Sequence, residues 1–261
     1  MINEKLHKTP VALDRMKHRA LRLDRSARDL SRFSQLNAFF VSASEFGEAC
    51  KDCAIVWINA GADASGKALV APVAVFGLQP NQNLCIEADQ WRVRYVPAML
   101  RFYPFAMART SETDIVLCVD ESWQGLGTEA GEPLFNPDGS PSEFTLSVQQ
   151  QLQQFEVDVE RTRGFGARLM ELGLLRDMRF DATLPDGQKL EVDGFFTIDE
   201  TKLAKLSDAE VLELARGGML GLIHAHQISL ANMTRLAEWQ AVRQAAAAES
   251  TPVGSASTAP S

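Results

Sequence analysis

Residues 178–198 read MRFDATLPDGQKLEVDGFFTI, and this stretch decides the fold class. Its two halves, 178–184 and 189–198, are rich in the aromatic and β-branched residues that strands favour. Between them stands Pro185-Asp186-Gly187-Gln188, where proline fixes one backbone torsion and Asp-Gly is a strong signal for a tight turn. The stretch therefore predicts a β-hairpin, whose two strands are antiparallel.

Further strands are predicted in the first half of the chain. Short apolar runs bounded by turn residues indicate strands at 54–60, 69–78 and, more briefly, 83–88. FAMART (105–110) and DIVLCVD (114–120) flank a Ser-Glu-Thr turn and predict a second hairpin. Each of these runs needs a cover for its apolar face, which the second half of the chain can supply.

Helices are predicted on both sides of the 178–198 hairpin. Ser140-Pro141-Ser142-Glu143 carries the start signals of a helix: an N-cap, an early proline and a Glu three residues after the cap. Apolar residues then recur at helical spacing to residue 173, with a kink predicted at the two glycines Gly164 and Gly166. A capping box at residues 207–210 starts another helix, and a last long one is predicted from 219 to about 240. A capping box at residues 42–45 predicts a short helix before the first strand.

The order of these elements predicts an α+β fold. Hairpins precede most helices and no regular βαβ alternation occurs, so the sheet is antiparallel and built of hairpins. We expect one domain at residues 8–240, covered by the 141–173 and 219–240 helices. Residues 1–32 form a basic N-terminal arm, and the small polar residues of 245–261 predict a disordered tail.

Charge and composition exclude several classes of protein. Of the 261 residues, 46% are hydrophobic and 23% charged, which excludes a mostly disordered chain, a collagen-like repeat and a coiled-coil rod. The net charge of −8 argues against nucleic acid as the main partner. Residues 1–32 carry nine Lys/Arg and four acids, so the arm is +5 and the remainder −13. We expect the arm to fold over the chain's own acidic domain, although a partner or an anionic surface would also suit its charge.

The compartment is predicted from signals that the sequence lacks. The first residues contain no apolar run typical of a secretory signal, and the most apolar helical stretch, 219–231, is too short and too polar to span a membrane. With four cysteines, a disulfide framework is not expected. We therefore expect a cytoplasmic protein without an integral membrane segment.

Cys50-Lys51-Asp52-Cys53 has the spacing of half a zinc site or of a redox pair. The other cysteines, Cys85 and Cys118, lie within predicted strands, not in a second zinc knuckle. A redox pair would begin a helix after a strand, whereas this pair ends a helix before one. We therefore expect buried or half-buried thiols and assign no metal and no cofactor.

His226 lies on an apolar stripe of the last predicted helix, while His224, two residues earlier, points to its flank. A hydrogen-bonded core histidine is the favoured interpretation, with Ser229, His18 or Asp14 as its partner. A ligand-binding or catalytic histidine, helped by Ser229, is the sharper alternative.

Arg101 and Tyr103 belong to the densest aromatic and cationic cluster of the chain, with Trp91, Tyr95 and Phe105 close in sequence. The cluster suits either a recognition patch or packed aromatic rings with an arginine reaching past them to solvent. No phosphate-binding glycine loop and no nucleophile elbow occurs, so no catalytic residue is assigned.

An ordered set of short motifs resembles the SapC family of bacterial proteins, from about residue 9 to 236. The motifs are Ala12-Leu13-Asp14 with His18, Ser44-Glu45-Phe46, Phe76-Gly77-Leu78, Gln82-Asn83-Leu84, Trp91, Tyr95-Val96-Pro97-Ala98, Arg101-Phe102-Tyr103-Pro104-Phe105, Pro133-Leu134-Phe135, Pro185-Asp186-Gly187, Gly194-Phe195, Asp199 with Leu203, and Ala225-His226 with Ser229-Leu230 and Asn232. Where this chain has one arginine before Phe102, the family more usually has two before Tyr-Pro-Phe. The resemblance adds Asn83 to Arg101, Tyr103, His226 and Ser229 as binding residues.

The resemblance implies an accessory role. The family is named after a surface-layer gene locus, is distinct from the similarly named peptide-transporter permease, and has no established reaction or catalytic residues. Its members accompany outer-membrane TonB-type receptors and halogenase-like flavoproteins. We therefore expect a non-enzymatic accessory or binding protein linked to a bacterial surface or nutrient-uptake system, with a protein partner. The alternative is an enzyme or enzyme partner with a polar pocket near Arg101, Tyr103 and His226. A structural surface-layer component is a third class, which the missing export signal disfavours. The oligomeric state has no signal in the sequence.

Overall fold

A computed structural model describes residues 2–27, 29–109, 114–183, 187 and 189–250. The strands are β1 (Pro10–Ala12), β2 (Arg22–Leu23), β3 (Ala38–Phe40), β4 (Ala54–Ala62), β5 (Ala68–Val75), β6 (Ile86–Glu87), β7 (Gln90–Trp91), β8 (Phe105–Arg109), β9 (Ile115–Asp120), β10 (Leu126–Gly127), β11 (Glu132–Pro133), β12 (Leu175–Thr183) and β13 (Lys189–Ile198). The α-helices are α1 (Phe46–Asp52), α2 (Ala98–Phe102), α3 (Glu143–Glu171), α4 (Glu200–Leu203), α5 (Asp208–Arg216), α6 (Met219–Ser229) and α7 (Asn232–Ser250). Two 3₁₀ turns span Leu30–Phe33 and Ala43–Glu45.

The main sheet has five antiparallel strands in the order β12-β13-β4-β5-β3. The β12–β13 pair is the hairpin predicted from residues 178–198, and the β8–β9 pair is the second predicted hairpin. The predicted turn residues Pro185, Asp186 and Gln188, and the Ser-Glu-Thr turn at 111–113, lie outside the described residues. The α+β fold with an antiparallel sheet is confirmed.

Helices cover both faces of this sheet. Alternate residues of β4 point to opposite sides, so Ile55 and Trp57 enter one core while Ala54 and Val56 enter another. The first core contains residues of α1, α3, α5 and α6, and the second contains Met233 and Leu236 of α7. The 141–173 and 219–240 segments thus cover the sheet, as predicted, from its two sides.

Several details differ from the sequence-based expectations or add to them. Instead of a strand at 83–88, only Ile86–Glu87 pairs, because Ala88 and Asp89 both adopt positive φ in a two-residue turn that leads to β7. Helix α3 continues without a break through Gly164 and Gly166, over Glu143–Glu171. A Cβ at Gly166 would lie 3.1 Å from the Val70 carbonyl oxygen, so this glycine serves close packing of α3 on β5.

The predicted last helix is two helices, α6 and α7, separated at residues 230–231. Side chains on either side of the break bond to other elements: the Ser229 hydroxyl accepts from the Ile55 N–H, and the Asn232 amide donates to the Cys50 carbonyl. The second helix continues to Ser250, past residue 245 where the tail was expected to begin, and residues 251–261 lie outside the described part.

The N-terminal arm lies against the rest of the chain. Strand β1 pairs with β9, and β2 pairs with both β10 and β11. The His18 imidazole and the Lys17 ammonium both contact the Glu121 carboxylate, at 2.8 and 2.6 Å. The Lys17 ammonium of the arm therefore meets the Glu121 carboxylate of the body directly after β9.

Candidate functional site

Arg101 and Tyr103 line one cleft of about 380 Å³, beside α2. Its walls come from residues 23–27 of the arm, the 101–105 segment, Trp123 and the first turns of α3. The Arg101 side chain is 58% exposed, whereas the Tyr103 ring packs edge-on against Trp123 at 5.1 Å between ring centres. These two predicted residues therefore line the same cleft. The Arg101 guanidinium is exposed to solvent, whereas the Tyr103 ring is packed against its neighbours.

The Tyr103 hydroxyl has a fixed role. It donates to Asp120 Oδ2 at 2.9 Å and accepts from Arg32 Nη1, also at 2.9 Å. Burial, together with the hydrogen bond to the Asp120 carboxylate, raises the pKa of Tyr103 well above its usual range. This hydroxyl is a neutral structural link between β9 and the 3₁₀ turn that carries Arg32.

Asp120 is a buried carboxylate that the sequence analysis missed. Backbone N–H groups of Lys8 and Thr9 donate to its two oxygens at 2.9 Å, and Ser122 donates through its N–H at 3.1 Å and its hydroxyl at 2.7 Å. Burial by itself would raise the pKa of Asp120, but these hydrogen bonds outweigh it and lower the pKa to about 2. Asp120 is thus ionised and binds the arm to the end of β9. The sequence signal was Asp-x-Ser directly after a strand, a common turn pattern.

Glu45 is a second buried carboxylate, and Arg101 reaches it. Its Oε2 accepts from the Ser42 N–H at 3.1 Å in the capping box, while its Oε1 accepts from the Tyr95 hydroxyl at 3.1 Å and from the Ala98 N–H at 2.8 Å. Arg101 Nη2 lies 3.5 Å from the same oxygen. Burial, and then the nearby Glu45 charge, raises the pKa of Tyr95. Arg101 therefore stands between the cleft and a shallow depression above Glu45 that Arg94 and Glu48 also line.

The remaining predicted site residues lie elsewhere and have structural partners. Asn83 is buried; its amide donates to the Phe33 carbonyl at 3.0 Å, and its oxygen accepts from the Cys85 N–H at 2.9 Å. Both ends of this side chain hold the loop before β6, and Asn83 lines neither cavity that Arg101 lines.

His226 is a core histidine, as favoured from the sequence, but its partner was predicted wrongly. Its Nε2 accepts from the Ile198 N–H at 3.3 Å and lies 2.9 Å from the Thr197 hydroxyl. Ser229 instead donates to the His226 backbone carbonyl at 2.6 Å. Burial lowers the pKa of His226 to about 4, although the Ile55 carbonyl offsets part of this effect. His226 and Ser229 therefore join α6 to β13 and β4, and neither lines the cleft of Arg101.

The cysteines are free thiols. Cys53 and Cys85 are buried and Cys50 is half-buried. Contact with the Cys85 thiol, together with burial, raises the pKa of Cys53. Within the described ranges, no group of three or more His, Cys, Asp or Glu side chains is placed to hold a metal ion.

The groups left available in the cleft are cations and aromatic surfaces. Arg25 is exposed on one wall and forms no ion pair with any residue that the structure describes. Arg101 also lines the cleft from α2 while keeping its 3.5 Å contact with Glu45, and Trp123 packs with Leu23 of the arm and Tyr103 of the 101–105 segment. Asp24 lies on the same wall, but its carboxylate accepts from Ser26. The cleft can therefore offer guanidinium groups to a carboxylate or another anion.

A comparison with protein-family models matches residues 13–236 to SapC. The chain belongs to the SapC family. The match includes every residue of the cleft and both buried carboxylates, and it confirms the resemblance that the ordered motifs indicated. Searches of curated proteins and of solved structures found no match to this SapC-family chain. Among the residues that the structure describes, it has no helix that is both long and apolar enough to cross a membrane.

Proposed function

We propose that this SapC-family protein is a non-enzymatic accessory or binding protein of a bacterial surface or nutrient-uptake system, acting from the cytoplasm. In this proposal the cleft beside α2 receives an acidic group of a protein partner. Membership of the SapC family supports the general assignment, because the resemblance to that family implies an accessory role. The chemistry of the cleft supports the acidic partner.

The observation that carries the proposal is the unequal use of charged groups around the cleft. The carboxylates of Asp120 and Glu45 accept several hydrogen bonds each, and the Tyr103 hydroxyl both donates and accepts. In contrast, the Arg25 guanidinium is exposed and forms no ion pair with any residue that the structure describes, and Arg101, whose side chain is 58% exposed, has only the 3.5 Å contact with Glu45 as an ion pair within the described part. Arginine beside an aromatic ring is typical of the residues that dominate protein interfaces.

The alternative function, an enzyme with a pocket formed by Arg101, Tyr103 and His226, has less support. His226 lines neither cavity that Arg101 lines, and its Nε2 is used by Thr197 and Ile198. The proton-transfer groups that such a pocket would need are therefore not assembled there.

The experiment is affinity purification of the tagged full chain from its host, with quantification of every co-purified protein. We expect the wild type to recover a stoichiometric partner. We expect the double variant Arg25→Gln/Arg101→Gln to recover about tenfold less of that partner, since each lost charge-assisted contact weakens binding. The matched control is Arg216→Gln, an exposed arginine at the end of α5 that lies outside the cleft. A wild type without a stoichiometric partner, or a double variant that keeps its partner, would contradict the proposal.

A further inference from the structure

A second cavity, of about 320 Å³, lies between the first half of β5 and the middle of α3. It exists because β3 pairs only with residues 73–75 of β5, which leaves residues 68–71 without a described strand on that edge. Helix α3 closes the far side, where Gly166 brings its backbone against Val70. Small side chains at Ala60, Ala68 and Ala71 leave the space between strand and helix unfilled.

The described lining of this cavity is mostly apolar, with Asn3, Thr162 and Arg163 as its polar residues. Larger apolar side chains form most of the wall: Phe40, Leu69, Pro72, Met99, Val159 and Met170. The Thr162 hydroxyl also lies on the wall, but it is used by the Asp158 carbonyl and the Ala43 N–H. Arg163 is the one charged residue among the described residues of the lining, and 62% of its side chain is exposed. The cavity thus combines an apolar interior with a single cation.

We propose that this cavity binds a free aliphatic carboxylic acid, with the alkyl chain against the β5–α3 wall and the carboxylate on the Arg163 guanidinium. The volume lies at the lower end of the range typical of small-molecule sites, which are mostly apolar with a few orienting polar groups. A guanidinium binds a carboxylate through two parallel hydrogen bonds, whereas an uncharged ligand would make no charge-assisted contact with it.

The present partner of Arg163 does not block this site. Its Nη1 contacts Glu160 Oε1 one turn earlier on α3, and both side chains are more than half exposed. Ion pairs of this kind between exposed side chains contribute little to stability, so the guanidinium can turn to a ligand at small cost. Ile2 and Asn3 of the arm also line the cavity, which places the start of the described chain over the bound alkyl group.

Calorimetric titration of the full chain with decanoate, below its micelle concentration, tests the assignment. We expect binding at one site, and we expect Arg163→Gln to weaken decanoate about tenfold while changing decan-1-ol binding less than about twofold, because only the acid carries a charge. The matched control is Arg161→Gln, an arginine of α3 that lies outside this cavity. An equal effect of Arg163→Gln on acid and alcohol would refute the role of the guanidinium.

Blocking variants locate the alkyl chain. We expect Ala68→Trp, which adds a large ring at an exposed position of the wall, to weaken both ligands at least about tenfold. Ala64→Trp is its control, because residue 64 is exposed in the β4–β5 turn and does not line the cavity. Ala71→Phe gives a second block from the middle of β5, and circular dichroism melts establish that each variant is folded.

Three results would overturn the proposal. The first is no binding of decanoate by the wild type, and the second is binding that both blocking variants retain. The third is cosedimentation with phosphatidylglycerol vesicles that Ala68→Trp abolishes, since the ligand would then be a bilayer lipid rather than a free acid. Arg101→Gln should leave decanoate binding unchanged, which keeps this inference independent of the partner cleft.

Discussion

Replacing His226 with alanine should destabilise the protein by about 1–3 kcal/mol at pH 7. The imidazole is buried, and its Nε2 accepts from the Ile198 N–H and lies within bonding distance of the Thr197 hydroxyl. Alanine leaves the Ile198 N–H without its acceptor in a site closed to solvent, removes the contact with the Thr197 hydroxyl, and opens a small cavity between α6 and β13. These effects act on the folded state only.

The pH dependence of this penalty provides a sharper test. Because burial lowers the pKa of His226 from 6.5 to about 4, the unfolded chain takes up a proton at this residue before the folded chain does. The wild type therefore loses stability as the pH falls below 6.5, by about 2 kcal/mol between pH 7 and pH 5 from this residue alone. The loss levels off once the pH passes the folded-state pKa near 4.

His226→Ala lacks this titration, so the stability difference between wild type and variant should shrink by about 2 kcal/mol on going from pH 7 to pH 5. Urea unfolding at the two pH values measures it. His224→Ala is the matched control, because His224 is exposed on the same helix and contacts Gln227; we expect a change below about 0.5 kcal/mol at either pH. Equal small effects of both substitutions, or a His226→Ala penalty that is constant with pH, would refute the burial argument.

Three further predictions concern packing and charge. Gly164→Ala should stabilise the protein by up to about 1 kcal/mol because the added Cβ meets open space. Gly166→Ala should destabilise the protein because the added Cβ crowds the backbone of β5, and thermal melts measure both changes. Asp120→Asn should cost about 2 kcal/mol at pH 7, measured by urea unfolding; since the pKa of the carboxyl is lowered to about 2, the penalty should fade as the pH drops from 3.8 through 2. Trp239→Ala should lower the melting temperature, since the ring packs under two guanidinium groups, that of Arg92 at 4.1 Å from its centre.

Local sequence patterns were sufficient to predict the hairpins and helices whose formation depends on residues close together in the chain. The hairpin at 178–198 and the helix that begins near Ser142 follow from turn residues, caps and periodicity, all of which act within a few positions along the chain. The burial of His226 followed in the same way from helical spacing. Periodicity also misled at 219–240, because an apolar stripe does not reveal that side chains near residues 230–231 bond to β4 and α1.

The candidate site depended on contacts that sequence spacing does not show. Tyr103 and Asp120 meet because β8 pairs with β9, and the arm reaches Asp120 from more than a hundred residues away through Lys8 and Thr9. Likewise, the partner of His226 is Thr197, 29 residues away along the chain, instead of a residue of its own helix. A buried carboxylate is recognised only when its donors are known, and those donors here are mostly backbone N–H groups.

The two buried carboxylates explain how a helix of five residues can present Arg101 in a defined position. Helix α2 is too short to be stable alone, because the conformational entropy lost in nucleating a helix exceeds the stabilisation that the hydrogen bonds of a single turn provide. Glu45 holds its first turn through the Ala98 N–H, and Asp120 holds the residue after it through the Tyr103 hydroxyl. With both ends held, the backbone that carries Arg101 is ordered before any partner arrives. A partner that meets this guanidinium then has less conformational entropy to overcome than it would on a free loop, and that difference appears directly in its affinity.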